Sequence, residues 1–129
     1  MAEKIYNRAG EFSVDFVMEH IGQVVSTSSG IKIQIGGWRV EAYSRKGTKC
    51  SNCGLVGNMF AAECFRKIGK GEDTNNRRHH LNLYHVAADG TETMMTVDHV
   101  IPKSKGGNDE INNLQPMCFQ CNQKKGNQV

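Results

Sequence analysis

No run of apolar residues in this chain approaches the ~20 that a bilayer-spanning helix needs, so a membrane is not expected as a partner. The opening residues, Met1-Ala2-Glu3-Lys4-Ile5-Tyr6-Asn7, lack the basic, apolar and small-residue order of a signal peptide. An intracellular, cytoplasmic protein is therefore expected, in a compartment where thiols stay reduced. Low-complexity stretches are missing too, and the only internal repeat is a pair of cysteine knuckles. Apolar residues make up 38% of 129, too few for a large core. One small domain fits this length, and a domain so poor in apolar mass gains from a metal staple.

Net charge is also small, at +3, but it is unevenly spread. Residues 1–44 hold four basic and five acidic side chains, whereas residues 45–129 hold twelve and eight. The positive charge travels with the cysteines, which suits a polyanion partner without proving one.

Four of the five cysteines form two matched pairs, Cys50-Ser51-Asn52-Cys53 and Cys118-Phe119-Gln120-Cys121. Thiolates at this spacing hold a tetrahedral metal, and four soft sulfurs favour Zn²⁺ in a closed, structural site. Two unrelated pairs, or a redox Cys-x-x-Cys, are the plainer alternatives, and the identical internal spacing argues against both. The 64 residues between Cys53 and Cys118 exceed ordinary ribbon spacing, so the metal would close a long loop. The fifth cysteine, Cys64, sits among Phe60, Ala61, Ala62 and Phe65 and reads as a buried structural thiol.

Residues 13–21 predict a short helix capped by Ser13, with Val14, Val17, Met18 and Ile21 on one face. Ile31, Ile33 and Ile35 alternate with polar residues as a strand, turned by Gly36-Gly37. Residues 38–43, Trp38-Arg39-Val40-Glu41-Ala42-Tyr43, read as the return strand. A boundary near residue 45 follows, giving an accessory segment (1–44, helix plus β-hairpin) and a second domain (45–129). Residues 58–65, 81–85 and 93–101 read as strands, the last two joined at Asp89-Gly90. The polar stretch 66–80 reads as an exposed loop, and residues 117–125 as a short helix stopped by Gly126.

Asp98 and His99 lie side by side on a predicted strand, so their side chains leave it on opposite faces. The chain must bend for both to act on one group, and Pro102, Gly106 and Gly107 are consistent with a bend. Histidine is a competent general base near neutral pH. The neighbouring carboxylate is a hard ligand for Mg²⁺ or Mn²⁺, and the amide oxygen of Asn122 offers a second. Asn113 can bond backbone across the intervening loop and hold His99. Each residue alone means little; their order together carries the weight.

That order, Cys50-x-x-Cys53, then Asp98-His99-Val100-Ile101-Pro102-x-Ser104-x-Gly106-Gly107, then Asn113-Leu114-Gln115-Pro116-Met117-Cys118-x-x-Cys121-Asn122-x-x-Lys125-Gly126, resembles the HNH endonucleases. It is most similar to their zinc-stapled phage and bacterial branch, over about residues 38–126. The resemblance implies an α+β fold built on a ββα-metal finger with a four-cysteine zinc site, preceded by a helix and strand segment. It implies that His99 activates water for attack on a DNA phosphodiester. Asp98 and Asn122 then bind one divalent ion, Asn113 supports the loop, and the products carry 5′-phosphate and 3′-hydroxyl ends. Asn122 stands where the name-giving last histidine usually is, which favours Mg²⁺ or Mn²⁺ over a catalytic zinc. The implied partner is double-stranded DNA in a bacterial host or phage-infected cell, with a homodimer or a larger phage or bacterial complex open.

Cations surround the motif. Arg66, Lys67, Lys70, Arg77 and Arg78 crowd one polar segment; Lys103 and Lys105 flank the bend; Lys124 and Lys125 follow Asn122. All are candidate phosphate contacts, against the blander reading of solvated charge. His85 either faces the site or packs, and His79 and His80 read as charge. A zinc-stapled DNA-binding module, or a nuclease-complex component without cleavage of its own, is the competing function. The intact set of base and metal ligands argues against it.

Overall fold

The computed structural model describes the backbone of residues 4–67 and 79–126, and the side chains of residues 7–64 and 79–126. Among the described residues seven strands and three α-helices follow one another: β1 (Lys4–Ser13), α1 (Val14–Glu19), β2 (Val24–Ser26), β3 (Lys32–Gln34), α2 (Trp38–Lys46), β4 (Met59–Lys67), β5 (His80–Val86), β6 (Glu92–His99), β7 (Leu114–Cys118) and α3 (Phe119–Lys125), with two 3-10 turns, Lys103–Lys105 and Ile111–Asn113, between β6 and β7. Five strands form one antiparallel sheet in the order β1-β4-β5-β6-β7, and β2 and β3 form a separate hairpin. Among the described residues no helix is long and apolar enough to cross a membrane.

The core lies on one face of the sheet. Val17 of α1, Ile33 of the hairpin, Val40 and Tyr43 of α2, and Phe60, Leu83 and Met95 of the sheet pack there with Cys50, Cys118 and Cys121. The cysteine cluster is thus continuous with the apolar core. Ser13 caps α1, its Oγ accepting from Phe16 N at 3.1 Å. β1 pairs with β4 from Lys4 opposite Lys67 to Ser13 opposite Met59, with a register shift between Arg8 and Gly10. One sheet therefore draws strands from both sides of residue 45.

Two sequence expectations are corrected. Residues 38–43 are not a return strand: they belong to the helix α2. A stretch as short as 38–43 is compatible with either state, and here the helical cues prevail. Val40 and Tyr43 bury on one face, Glu41 and Arg45 pair one turn apart at 3.0 Å, and Arg45 and Lys46 meet the negative end of the helix before Gly47 (φ 89°) stops it. The true hairpin partner of residues 32–34 lies upstream, at residues 24–26. The second correction is β7, a strand where a loop and an early helix start were expected. It is an edge strand, which is where a sheet tolerates Pro116.

The opposite face of the sheet carries a buried carboxylate. Glu63 of β4 is 2% exposed and accepts from Arg8 Nε at 2.9 Å, Asn82 Nδ2 at 2.9 Å and Tyr84 Oη at 2.7 Å. Arg8 also reaches Glu92 at 2.8 Å and Glu11 at 2.9 Å. Burial, and then the bond to Glu63, push the Tyr84 hydroxyl well above the ordinary tyrosine range. Arg8→Ala strands this charge among neighbours that cannot neutralise it. The expected result is a loss of about 3–5 kcal/mol in denaturant unfolding. A loss below about 1 kcal/mol, the scale of an exposed pair, would show that Glu63 does not depend on Arg8.

β6 pairs with β5 only from Glu92 to Met94, and with β7 from Met95 to His99. It changes partner partway along. The β6-β7 hairpin thereby separates from β5, and α3 packs against its two strands. The catalytic motif of the sequence lies in this unit of two strands and one helix.

Candidate active site

The two Cys-x-x-Cys turns meet. All four Sγ atoms lie within 4.8 Å of one another, and Cys53 Sγ is 3.7 Å from Cys118 Sγ. A tetrahedron of thiolates about 2.3 Å from a metal has edges of about 3.8 Å, so the donor set fits a structural ion. Backbone and amide donors serve the sulfurs: Cys53 N to Cys50, Cys121 N to Cys118, both at 3.5 Å, and Asn52 Nδ2 to Cys121 at 3.3 Å. Burial alone would raise the Cys50 thiol, but backbone donors from Cys53, Cys118 and Asn52 outweigh it and bring it down to about 6. Burial, with the neighbouring thiols, pushes Cys118 up to about 12. Thiolates are the ligating form, so metal affinity falls as pH falls. Ser51 N donates to Pro116 O at 2.9 Å, which docks the first knuckle on the free edge of β7.

Alternation along β6 sends Thr96 and Asp98 toward α3, and Met95, Val97 and His99 to the other side. On the α3 side Asn122 Nδ2 donates to Thr96 Oγ1 at 2.9 Å, and Thr96 Oγ1 donates onward to Met117 O at 2.9 Å. Thr96 has spent its proton, so only the NH₂ of Asn122 can face it, and Asn122 Oδ1 is left as an acceptor. One turn further along α3, Lys125 Nζ lies 3.0 Å from Asp98 Oδ2 and donates to the His99 backbone carbonyl at 3.1 Å. Oδ2 is buried and ion-paired to Lys125 without a well-aligned hydrogen bond among the described residues. The Asp98 carboxylate and the Asn122 amide oxygen are hard donors of the kind a divalent ion takes, and Lys125 would have to give way at Oδ2 to an ion bound there.

His99 ends β6 on the opposite side, 23% exposed, with Nε2 2.7 Å from Asp109 Oδ1. Asp109 Oδ2 holds Lys103 Nζ at 3.1 Å. The bond to His99, and after it Lys103, keeps the Asp109 carboxyl below the ordinary aspartate range. A lowered folded pKa means that this contact stabilises at neutral pH and is lost only as pH falls through that lowered value. An ionised carboxylate only accepts, so Nε2 carries a proton in this contact, and Nδ1 has no partner among the described residues.

The loop between β6 and β7 is braced by Asn113, which is buried. Its Oδ1 accepts from Ile101 N at 2.9 Å, and its Nδ2 donates to Ile101 O at 3.1 Å and Asn108 O at 2.7 Å. Gly106 turns with φ 91°, and a Cβ on Gly107 would collide with the Ile101 carbonyl. These glycines allow the close return that brings Asp109 to His99.

The sequence-predicted residues therefore form two adjoining groups. Asp98 faces α3, which carries Asn122; His99 faces away, and Lys125 of α3 touches Asp98 by its carboxylate and His99 by its backbone carbonyl. Asn113 bonds the loop, not the His99 ring. Among the cations, Lys105 and Lys124 are exposed, Lys103 is tied to Asp109, and Lys125 is 11% exposed and turned inward, not outward as expected. Arg66 and Lys67 end β4, and Lys70, Arg77 and Arg78 lie outside the described residues. His85 bonds Val56 O at 2.7 Å, away from this site. Cys64 is buried.

Three members of the site were missed from sequence. Thr96 lies two residues before Asp98, so strand alternation alone could have placed it. Asp109 was passed over as part of a turn; nothing local marks it as a partner of His99. Trp38 was assigned to a strand, whereas it opens α2 and lines a cavity with His99, Asp109 and Leu114.

No curated protein and no solved structure matches this chain. A family model described as HNH endonuclease matches residues 63–128, just over half of the 129 residues. The match spans β4 to α3 and takes in Asp98, His99, Asn113, Asn122 and the second cysteine pair, leaving the first pair outside. By that coverage the chain belongs to the HNH endonuclease family, and nuclease chemistry that depends on a metal is what membership implies.

Proposed function

We propose that the chain is a metal-dependent endonuclease that hydrolyses phosphodiester bonds of double-stranded DNA, with His99 as general base. The observation that carries the reading is the Asp98 carboxylate directed at α3, where Asn122 offers its Oδ1, next in sequence to a histidine whose Nε2 meets Asp109 at 2.7 Å.

Asp98 and Asn122 would hold Mg²⁺ or Mn²⁺ through hard oxygen donors. Such an ion supplies Lewis-acid stabilisation of the charge that builds on the phosphate and the departing 3′ oxygen. His99 Nδ1 takes a proton from water, the water oxygen bonds phosphorus as the bond to the 3′ oxygen breaks, and the departing 3′ oxygen takes a proton from solvent water. The ends left are a 5′-phosphate and a 3′-hydroxyl. Asp109 holds the base in its tautomer, and Asn113 holds the loop that carries Asp109. Lys125 keeps the buried Asp98 carboxylate beside a positive charge. Lys105 and Lys124 supply phosphate contacts that position without reading sequence. Cys50, Cys53, Cys118 and Cys121 would hold zinc, which would tie the first knuckle to the turn between β7 and α3.

Supercoiled plasmid with Mg²⁺ or Mn²⁺ is the test. Conversion to nicked or linear DNA is expected. Binding with no cleavage under either ion would replace the reading with a DNA-binding module.

A further inference from the structure

Trp38 is 53% exposed at the first turn of α2, an unusual place for a large apolar ring. It lines a cavity of about 300 Å³ with His99, Asp109 and Leu114. That is at the lower end of ligand-sized pockets, roughly 300–1,000 Å³. The Arg39 guanidinium lies 5.3 Å from the ring centroid, so the aromatic surface comes with a cation. Nothing in the hydrolytic scheme uses either side chain.

We infer that Trp38 is a stacking platform for one nucleobase of the DNA substrate, the base next to the phosphate under attack at His99. The inference rests on the nuclease reading. The occupant follows from the lining, a flat apolar ring on one side and the polar edges of His99 and Asp109 on another, and from Arg39, which lies outside the lining but against the ring, as a cation for the adjoining phosphate. A base that leaves the duplex stack loses stacking energy, and an aromatic face beside the cut site returns part of it. Arg39 then meets the backbone next to that base.

Trp38 is the only tryptophan in the chain, so intrinsic emission reads this ring alone. The full chain is titrated with a short DNA duplex without added divalent ion, and separately with heparin, a polyanion without bases. Duplex is expected to quench the emission and shield the ring from acrylamide, and heparin to do neither. Trp38→Ala is expected to weaken duplex binding by roughly 5- to 160-fold, the equivalent of ~1–3 kcal/mol of base stacking. Trp38→Phe should recover most of this loss. Duplex that binds while emission and acrylamide access stay unchanged would overturn the platform and leave the nuclease reading intact. Equal quenching by heparin would overturn it too, reducing Trp38 to a bystander of charge contacts. No duplex binding at all would overturn both.

Discussion

His99→Ala leaves supercoiled plasmid largely uncut, with kcat lowered by about 100- to 10,000-fold, the range for loss of a positioned general base. Duplex affinity stays at the wild-type level, because the side chain acts on water and not on ground-state DNA. The structure makes this a specific expectation. The Asp109 carboxylate fixes Nε2 as the donor, so one nitrogen of the ring is committed to position and the other to chemistry. Alanine removes the base and leaves Asp98, Asn122 and Lys125 in place on the far side of β6. A variant that cuts at the wild-type rate would assign the proton to another group and remove His99 from the mechanism.

Withdrawing a metal held by the four cysteines is expected to unfold the chain. Apparent binding energies of structural zinc, ~10–16 kcal/mol in small folds, match or exceed the ~5–15 kcal/mol by which a whole domain is stable. Cys50, Cys118 and Cys121 sit in the same buried cluster as Val17, Ile33, Tyr43 and Phe60. The sequence alone suggests that only the second half would unravel. The continuous core instead predicts one cooperative loss of far-UV circular dichroism, hairpin and α1 included, on strong chelation or in Cys118→Ser. Unchanged ellipticity and melting in both experiments would mean that the four thiols are a packing feature with no metal to lose.

The motif residues were legible because their chemistry is local. Cys-x-x-Cys spacing, an Asp-His pair and Asn122 directly after Cys121 need no tertiary information, and the strand reading of residues 93–101 already put Asp98 and His99 on opposite faces. What escaped depends on contacts far apart in the chain. The Arg8–Glu63 pair spans 55 residues, and a lone glutamate in an apolar strand gives no sign of its partner. Residues 38–43 were ambiguous because so short a stretch suits a strand and a helix alike; the deciding Glu41–Arg45 pair and Gly47 lie at or beyond the far end of that window. Lys125 looked like an outward phosphate contact because it follows Lys124, yet it lies three residues after Asn122 and so shares its face of α3.

The most direct test of the account is the anomalous diffraction of Mn²⁺ in crystals of the protein with an uncut duplex. The account predicts one Mn²⁺ peak coordinated by Asp98 Oδ2 and Asn122 Oδ1, with a phosphate oxygen at the ion and a water between His99 Nδ1 and phosphorus. A peak elsewhere, or a phosphate out of reach of His99 with Lys125 still against Asp98 and no ion there, would contradict it.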